Sequence, residues 1–146
     1  MNIKYTCEDK VIYKEIQSLF SEMDTLKGKR FWPRDIFHYA QRTKKQELVA
    51  IKGSFYITAR DNGKLIGLMR GITDSYFYYI IEGMVLPKYQ GKGIGTKLMN
   101  LTIEYCKKDD YIKIFLFAIP GNEKLWGSFG YKNTLSQAME IRSDGK

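Results

Sequence analysis

The clearest chemical signal in the sequence is a segment of alternating glycines, Gln-Gly-Lys-Gly-Ile-Gly-Thr at residues 90–96. It follows an apolar stretch that ends at Pro87 and precedes apolar residues at helical spacing from Ile94 onward. Glycine lets the backbone take positive φ angles and lets a ligand approach without a Cβ in the way. A helix that begins here would direct its unpaired N–H groups and positive dipole end at the loop. The segment therefore predicts a binding site for a diphosphate. Further positive charge would come from Lys88, Lys92 and Lys97.

Two familiar phosphate-binding motifs do not fit this segment. A P-loop needs glycine, four residues and then Gly-Lys-Ser/Thr, but the fifth residue after Gly91 is Thr96. The dinucleotide fingerprint G-x-G-x-x-G would place its third glycine on Thr96 if it began at Gly91, or on Leu98 if it began at Gly93. That fingerprint also belongs to a parallel βαβ unit, whereas this loop follows strands joined by short turns.

The elements around the loop follow from hydrophobic periodicity and turn residues. The predicted order is a strand at 2–7, a helix at 10–23, a loop at 25–30, a second helix opened by Pro33, strands at 54–60, 65–73 and 77–86, a helix at 94–106, a strand at 113–119, a helix at 122–129 with Asn122 as its N-cap, and closing strands at 131–134 and 138–142. An Asn62-Gly63 turn would join the second and third strands. This order predicts a mixed α/β fold with a central, mostly antiparallel sheet flanked by helices.

Size and charge restrict the class of protein. With 146 residues and no linker or repeat, we expect a single domain over 1–146. The formal net charge of +8 favours anionic partners, among them a phosphorylated cofactor, nucleic acid or an anionic membrane face. The lysines form no basic tail, and we expect neither a nucleic-acid nor a membrane partner. No signal peptide is visible, and Cys106 falls in a helical pattern as a buried free thiol, so a cytoplasmic location is expected.

The loop and its flanks closely resemble the GNAT superfamily of N-acetyltransferases. The family pattern is a strand ending Val-x-Pro, then Tyr-(Gln/Arg)-Gly-x-Gly-(Ile/Val)-Gly and an amphipathic helix. The matching residues are Val85, Pro87, Tyr89, Gln90, Gly91, Gly93, Ile94 and Gly95. Segments 61–67 and 125–131, with Asn122 before the latter, extend the resemblance over about half the chain, residues 54–131.

The resemblance implies a GNAT-like acyl-CoA N-acyltransferase fold and acetyl-CoA as co-substrate. The acceptor would be a primary amine of a small molecule, peptide or protein, and the chain would act as a monomer or homodimer. The implied cofactor-binding residues are Gln90, Gly91, Lys92, Gly93, Ile94, Gly95 and Thr96 for the pyrophosphate, Met84 and Val85 for the pantetheine arm, and Asn122 and Trp126 beside the thioester. An alternative is a CoA-binding sensor or regulatory module with little catalysis. A nucleic-acid binder is supported by charge alone.

Glu82 is the candidate catalytic base, since an attacking amine must lose a proton. Strand alternation places it in an apolar row with Ile80 and Met84, where burial would favour proton uptake. The other interpretation is a structural glutamate paired with Arg70. Gly83 could allow a bulge that changes the face of Glu82.

The other two parts of the chemistry follow from the resemblance. A backbone N–H near Val85 would stabilise the oxyanion. Trp126 stands where many family members have a tyrosine that serves as general acid, and an indole N–H cannot donate a proton in that way. Tyr131 occupies the family's core phenylalanine position, so we do not assign it the acid role.

His38 is the sole histidine in the sequence. A histidine-based metal cluster or catalytic triad is therefore not expected, and we predict no metal site. His38 lies in an aromatic stretch at 31–39, and Tyr76 to Tyr79 form another. Each stretch could border an acceptor pocket or pack in the core.

Overall fold

The computed structural model describes residues 1–23 and 43–141. The elements are β1 (Ile3–Cys7), α1 (Tyr13–Met23), α2 (Lys44–Gly53), β2 (Phe55–Asp61), β3 (Lys64–Thr73), β4 (Phe77–Val85), a 3₁₀ turn (Pro87–Tyr89), α3 (Ile94–Cys106), β5 (Lys113–Phe115) and α4 (Glu123–Gly127). The five strands form one sheet in the order β1-β2-β3-β4-β5. All neighbours are antiparallel except β4 and β5, which are parallel. This confirms the predicted mixed α/β fold with a mostly antiparallel sheet.

The turn between β2 and β3 is the predicted Asn-Gly hairpin. Asn62 has a φ of 48° and Gly63 a φ of 85°. Two consecutive positive φ angles characterise the tight turn whose twist matches that of the flanking strands. The hairpin turn fixes the register of β2 against β3, and β3 pairs with β4 on its other edge.

Helices α1 and α3 pack on opposite faces of the sheet. A Cβ on Gly67 would lie 3.2 Å from Cδ1 of Leu98, so Gly67 faces α3. Gly67 pairs with Ala59, and the next residue of β2, Arg60, reaches Glu15 of α1 on the other face. The buried side of α3 consists of Ile94, Leu98, Met99, Thr102 and Cys106. Leu101 and Tyr105 of the same helix are half-buried.

A bulge interrupts the pairing of β3 with β4. The register passes from Arg70 opposite Glu82 to Gly71 opposite Ile80, so Ile81 has no partner. Paired residues share a face of the sheet. Glu82 therefore lies on the face of Arg70 and Met84, and the predicted alignment of Glu82 with Ile80 is wrong. The extra residue of the bulge is Ile81, two residues before Gly83, where a bulge was expected.

Two further elements, β5 and α2, differ from the prediction. Strand β5 has three residues, Lys113–Phe115, because it pairs with residues 77–79 of β4 and then leaves the sheet. Helix α2 was not predicted, although Thr43 and Gln46 form a capping box at its start.

The predicted closing strands are absent from the described residues 131–141. The apolar side chains Leu135, Met139 and Ile141 are 108%, 93% and 101% exposed there, so none of the three packs on the described residues in a way that would hold a strand. The predicted loop at 25–30, the helix after Pro33, the aromatic stretch at 31–39 and His38 lie outside the described residues.

The described residues also bear on membranes and metals. No helix in 1–23 or 43–141 has the length and apolarity needed to cross a bilayer. Those same ranges contain no cluster of three or more histidine, cysteine or carboxylate side chains arranged for a metal ion. Cys7 and Cys106 are free, and Cys106 is buried as predicted.

Candidate active site

A groove with a volume of about 430 Å³ opens where β4 and β5 separate. Its walls come from the free edge of β4, the loop and first turn of α3, the segment after β5, and α4. The predicted site residues that line it are Glu82, Met84, Val85, Gln90, Gly91, Gly93, Ile94, Gly95, Thr96, Asn122 and Trp126. The structure thus brings every predicted site residue except Lys92 to one cavity. The ammonium of Lys92 instead lies 5.6 Å from the centre of the Tyr89 ring.

The glycine loop has the backbone conformation that its sequence requires. Gly91 and Gly93 have φ angles of 73° and 78°, in the left-handed region that favours glycine. Gly93 is also the N-cap of α3. The N–H of Lys97 donates to the carbonyl of Gly93 at 3.0 Å, which is the first intrahelical bond. The N–H groups of residues 94–96 precede that bond and stand at the positive end of the helix dipole, beside the groove.

Tyr89 anchors the loop to the β2–β3 hairpin. Its hydroxyl donates a 2.8 Å hydrogen bond to Oδ2 of Asp61, the last residue of β2. The phenol of Tyr89 holds the pKa of Asp61 below its usual value. The ammonium of Lys88 lies 5.0 Å from the centre of the Tyr89 ring, so two lysines flank this ring at the mouth of the groove. Sequence reasoning did not pair Tyr89 with Asp61, although both residues belong to the matched motif segments.

The edge of β4 offers backbone groups to the groove. The N–H of Leu86 donates to the carbonyl of Ile66 on β3 at 2.8 Å. Because successive residues of a strand point their peptide groups to alternate sides, the N–H and carbonyl of Val85 point away from β3, toward the groove. The side-chain amide of Gln90 donates to the Val85 carbonyl at 2.8 Å. A carbonyl has two lone pairs, so it can accept a second hydrogen bond from a ligand.

Glu82 is buried and paired with Arg70. Nη2 of Arg70 donates to Oε1 of Glu82 at 3.1 Å, and Nε lies 3.0 Å from Oε2 without linear hydrogen-bond geometry. Burial opposes the charge of Arg70, but Glu82 and, to a smaller extent, Tyr56 and Glu47 together outweigh it, and the pKa of Arg70 lies above its ordinary value. The pairing of Glu82 with Arg70, which the structural interpretation of Glu82 anticipated, is therefore present. Glu82 also lines the groove.

Asn122 and Trp126 lie on the far wall of the groove, which is the wall formed by α4. Asn122 occupies the N-cap position of α4, as predicted, but its side chain makes no capping hydrogen bond. The backbone carbonyl of Asn122 accepts from the N–H of Trp126 at 3.3 Å. The Trp126 ring packs against Phe129 and Tyr131 at centroid distances of 6.4 and 6.1 Å. The indole of Trp126 thus lines the groove and also packs against the aromatic cluster of Phe129 and Tyr131.

Tyr131 packs beside Met99, a residue that lines the groove. Its hydroxyl lies 3.8 Å from Sδ of Met99. Burial raises the pKa of Tyr131, and Cys106 and Tyr111 add to the shift. Tyr131 is not among the described residues that line the groove. Tyr131 therefore stays without an assigned acid role, as expected from the sequence.

An open sheet edge joined to a glycine loop at a helix N-terminus is the arrangement expected of an α/β protein that takes an extended, diphosphate-containing ligand. The chain belongs to the acetyltransferase (GNAT) family, whose family model matches residues 13–131. The resemblance predicted from the glycine motif is confirmed.

Relatives by sequence are named as N-acetyltransferases. Over 103 residues the chain is 31% identical to the uncharacterized N-acetyltransferase ycf52 of Gracilaria tenuistipitata var. liui, covering 66% of this chain and 57% of the relative. The corresponding protein of Pyropia yezoensis is 28% identical over 103 residues, 66% of this chain and 59% of the relative. The match thus spans less than two thirds of the length of these curated relatives.

Solved structures share the fold at lower identity. A probable acetyltransferase from meticillin-resistant Staphylococcus aureus aligns with a TM-score of 0.72 at 24% identity, covering 97% of this chain and 99% of that one. The PaiA N-acetyltransferase of Thermoplasma acidophilum, solved in complex with coenzyme A, aligns with a TM-score of 0.67 at 16% identity, covering 89% and 87%.

Proposed function

We propose that this protein is an acetyl-CoA-dependent N-acetyltransferase that transfers the acetyl group to a primary amine by direct attack on the thioester. The observation that carries the proposal is the continuity of the groove, which runs from the N–H groups at the start of α3, along the edge of β4, to Glu82. Acetyl-CoA is the co-substrate of the GNAT family, and the structure of the Thermoplasma relative contains coenzyme A.

The loop residues bind the diphosphate end. The N–H groups of Gly91 to Thr96 would donate to the pyrophosphate oxygens, aided by the helix dipole. The N–H of Gln90 already donates to the carbonyl of Pro87 at 3.2 Å. The Val85 carbonyl would accept a hydrogen bond from an amide of the pantetheine arm, and Met84 continues that strand edge. Lys88 and Lys92 at the mouth would attract the phosphates electrostatically.

The reacting groups meet at the other end of the groove. The amine nitrogen forms a bond with the thioester carbonyl carbon, the Val85 N–H donates to the developing oxyanion, and the carbon–sulfur bond then breaks. Glu82 accepts the proton that the amine loses. We infer transfer through a water molecule, because the Glu82 side chain is only 4% exposed.

Among the described residues of the far wall there is no tyrosine that could protonate the leaving thiolate. Trp126 and the Asn122 amide are hydrogen-bond donors that can stabilise a thiolate without protonating it. We therefore propose that water supplies the proton. The same feature supports the second candidate, a CoA-binding sensor with little catalysis. The amine acceptor, a cytoplasmic location and the oligomeric state, monomer or homodimer, stay predictions from the sequence.

The test combines binding with turnover. Acetyl-CoA is expected to raise the melting temperature, and free thiol is expected to appear when a panel of small amines and peptides is added. Glu82→Gln should reduce kcat by about a hundredfold while thermal stabilisation by acetyl-CoA persists. The matched control is Glu104→Gln, an exposed glutamate of α3 paired with Lys107. Stabilisation without thiol release from any amine supports the sensor, and no stabilisation contradicts both candidates.

A further inference from the structure

Three aromatic side chains form a continuous cluster at the point where β4 and β5 separate. Tyr79 and Phe115 are the last paired residues of these two strands. Their rings are stacked, with centroids 5.0 Å apart and an interplanar angle of 2°. Phe117, two residues further along the chain, meets the Tyr79 ring edge-on at 5.6 Å and 84°. Both arrangements are ones that aromatic pairs prefer. We call Tyr79, Phe115 and Phe117 the aromatic platform.

The bulge at Ile81 brings the aromatic platform to the same face of the sheet as Glu82. Tyr79 pairs with Ile72, and Glu82 pairs with Arg70. Since Arg70 and Ile72 are two residues apart on β3, they share a face, and so do their partners. In an unbroken strand, residues three apart face opposite sides. The pKa of Tyr79 is raised chiefly by burial, and the charges of Arg70 and Glu82 also act on it, as expected of neighbours.

Phe117 belongs to both the aromatic platform and the groove. It lines the groove together with Glu82, and it is 57% exposed. Its ring therefore presents apolar surface to a molecule in the groove while its contact with Tyr79 holds it in place. An exposed apolar surface that is continuous with a site favours a ligand with an apolar part. The platform thus extends the groove beyond Glu82 with aromatic surface.

The charges of the groove restrict the other end of such a ligand. Of the described residues that line the groove, Glu82 alone carries a charge. A second ammonium on an acceptor would find no further carboxylate among those residues. The whole chain also has a formal net charge of +8, which repels a polycation. A molecule with one amine and an apolar body therefore fits the groove better than a polyamine does.

We propose that the acceptor is a primary amine with a single positive charge and an aromatic body, whose ring packs on Phe117 and Tyr79 while its nitrogen lies at Glu82. The inference rests on the proposed function and adds the class of acceptor to it. Ring-on-ring contacts contribute to binding beyond the burial of apolar area. The reaction is the proposed transfer: the nitrogen–carbon bond forms, the carbon–sulfur bond breaks, the amine gives up a proton and the thiolate takes one from water.

The first measurement compares three acceptors with the wild-type protein at saturating acetyl-CoA. They are 2-phenylethylamine, 2-methoxyethylamine as a small amine of comparable basicity, and spermidine as a polycation. The value of kcat/KM for 2-phenylethylamine should exceed that for 2-methoxyethylamine by about tenfold to a hundredfold, the range that burial of a phenyl ring supports. Spermidine should be a poorer acceptor than 2-phenylethylamine. A spermidine value above that of 2-phenylethylamine would overturn the inference.

The second measurement tests the aromatic platform through Phe117. Phe117→Ala should lower kcat/KM for 2-phenylethylamine by about tenfold, and leave kcat/KM for 2-methoxyethylamine and KM for acetyl-CoA within about twofold. Phe117→Tyr keeps the ring and should restore the preference. Titration calorimetry of the protein saturated with coenzyme A gives a readout independent of turnover. The dissociation constant of 2-phenylethylamine should rise about tenfold in Phe117→Ala.

Ile112→Ala is the matched control. Ile112 is an apolar residue just before β5 that is 61% exposed and is not among the described residues that line the groove. This variant should leave every constant unchanged.

The outcomes separate the inference from the proposed function. If the wild type releases no thiol with any amine, both fail. If it is active but does not prefer 2-phenylethylamine to 2-methoxyethylamine, the acceptor class fails and the transferase stands. A preference that survives in Phe117→Ala overturns the role of the aromatic platform. Equal losses with both amines, or a higher KM for acetyl-CoA, would show that Phe117 serves the co-substrate instead. A loss in Ile112→Ala equal to that in Phe117→Ala also overturns the inference.

Discussion

The side-chain amide of Gln90 closes the glycine loop against the strand edge by donating a 2.8 Å hydrogen bond to the carbonyl of Val85. The bond joins the two parts of the groove that would bind the diphosphate and the pantetheine arm. It therefore fixes their separation before any ligand arrives, which lowers the ordering cost of binding.

Removal of this bond should weaken binding. Gln90→Ala should raise the dissociation constant for acetyl-CoA by about fivefold, the equivalent of about 1 kcal/mol for one hydrogen bond. Isothermal titration calorimetry measures the change. Gln17→Ala, an exposed glutamine on α1, is the control and should bind as the wild type does. Equal affinities for Gln90→Ala and Gln17→Ala would show that the contact does not organise the site.

The space around Gly93 can accommodate a side chain, but the backbone conformation of Gly93 disfavours one. A Cβ there would meet nothing within 4 Å, but φ is +78°. Gly93→Ala should therefore destabilise the fold by about 1–2 kcal/mol and weaken acetyl-CoA binding, measured by thermal melts with and without the ligand. Gly53→Ala, also in open space but without a positive φ, serves as the control and should melt no lower than the wild type.

The contact of α3 with the sheet depends on Gly67. A Cβ at this position would lie 3.1 Å from the carbonyl oxygen of Met84 and 3.2 Å from Cδ1 of Leu98. Since the Met84 oxygen belongs to the backbone of β4, it cannot move freely. Gly67→Ala should cost about 1–3 kcal/mol of unfolding free energy in urea titration and also weaken acetyl-CoA binding. Unchanged stability would contradict the described packing of α3.

The two cysteines should react very differently. Cys7 is exposed and Cys106 is buried, and burial raises the pKa of Cys106 to about 12. In native protein at pH 8, an aromatic disulfide reagent should titrate one thiol within minutes, and the second only in denaturant. Cys7→Ser should abolish the fast phase. Two fast thiols in the native wild type would place Cys106 at the surface.

The network of Glu15 and Arg60 should contribute to stability against acid. Hydrogen bonds from Arg60 hold the pKa of Glu15 below its usual 4.5. A carboxylate with a lowered folded-state pKa stabilises the fold above its unfolded pKa, and this stabilisation is lost as the pH falls through the folded value. Glu15→Gln should therefore lower the unfolding free energy at pH 7 and flatten its fall below about pH 4.5. A parallel pH dependence in both proteins would contradict the pairing.

The sequence predicts those parts of the fold and site that depend on local backbone chemistry. The Asn62-Gly63 turn and the glycines of the loop have their predicted conformations because positive φ is a property of the residue type. The first turn of α3 follows from the same segment. Each of these features is determined within a few neighbouring residues.

The remaining features depend on contacts between distant segments. The bulge at Ile81 reflects the register of β4 on β3, and no residue in the strand marks it. The pairing of Glu82 with Arg70 was considered, but strand alternation could not place the two on one face. The closing strands after Tyr131 were predicted from alternation alone, and alternation cannot supply the partner that a strand needs.

We expect the backbone N–H groups of residues 91–96 to bind the diphosphate of acetyl-CoA. Titration of ¹⁵N-labelled protein with coenzyme A, followed by amide chemical shifts, tests it directly. The account predicts that the amide signals of Gly91, Gly93 and Gly95 shift strongly, and that pantetheine, which lacks the diphosphate, leaves them nearly unchanged. Binding of coenzyme A that leaves those three signals in place would contradict the account.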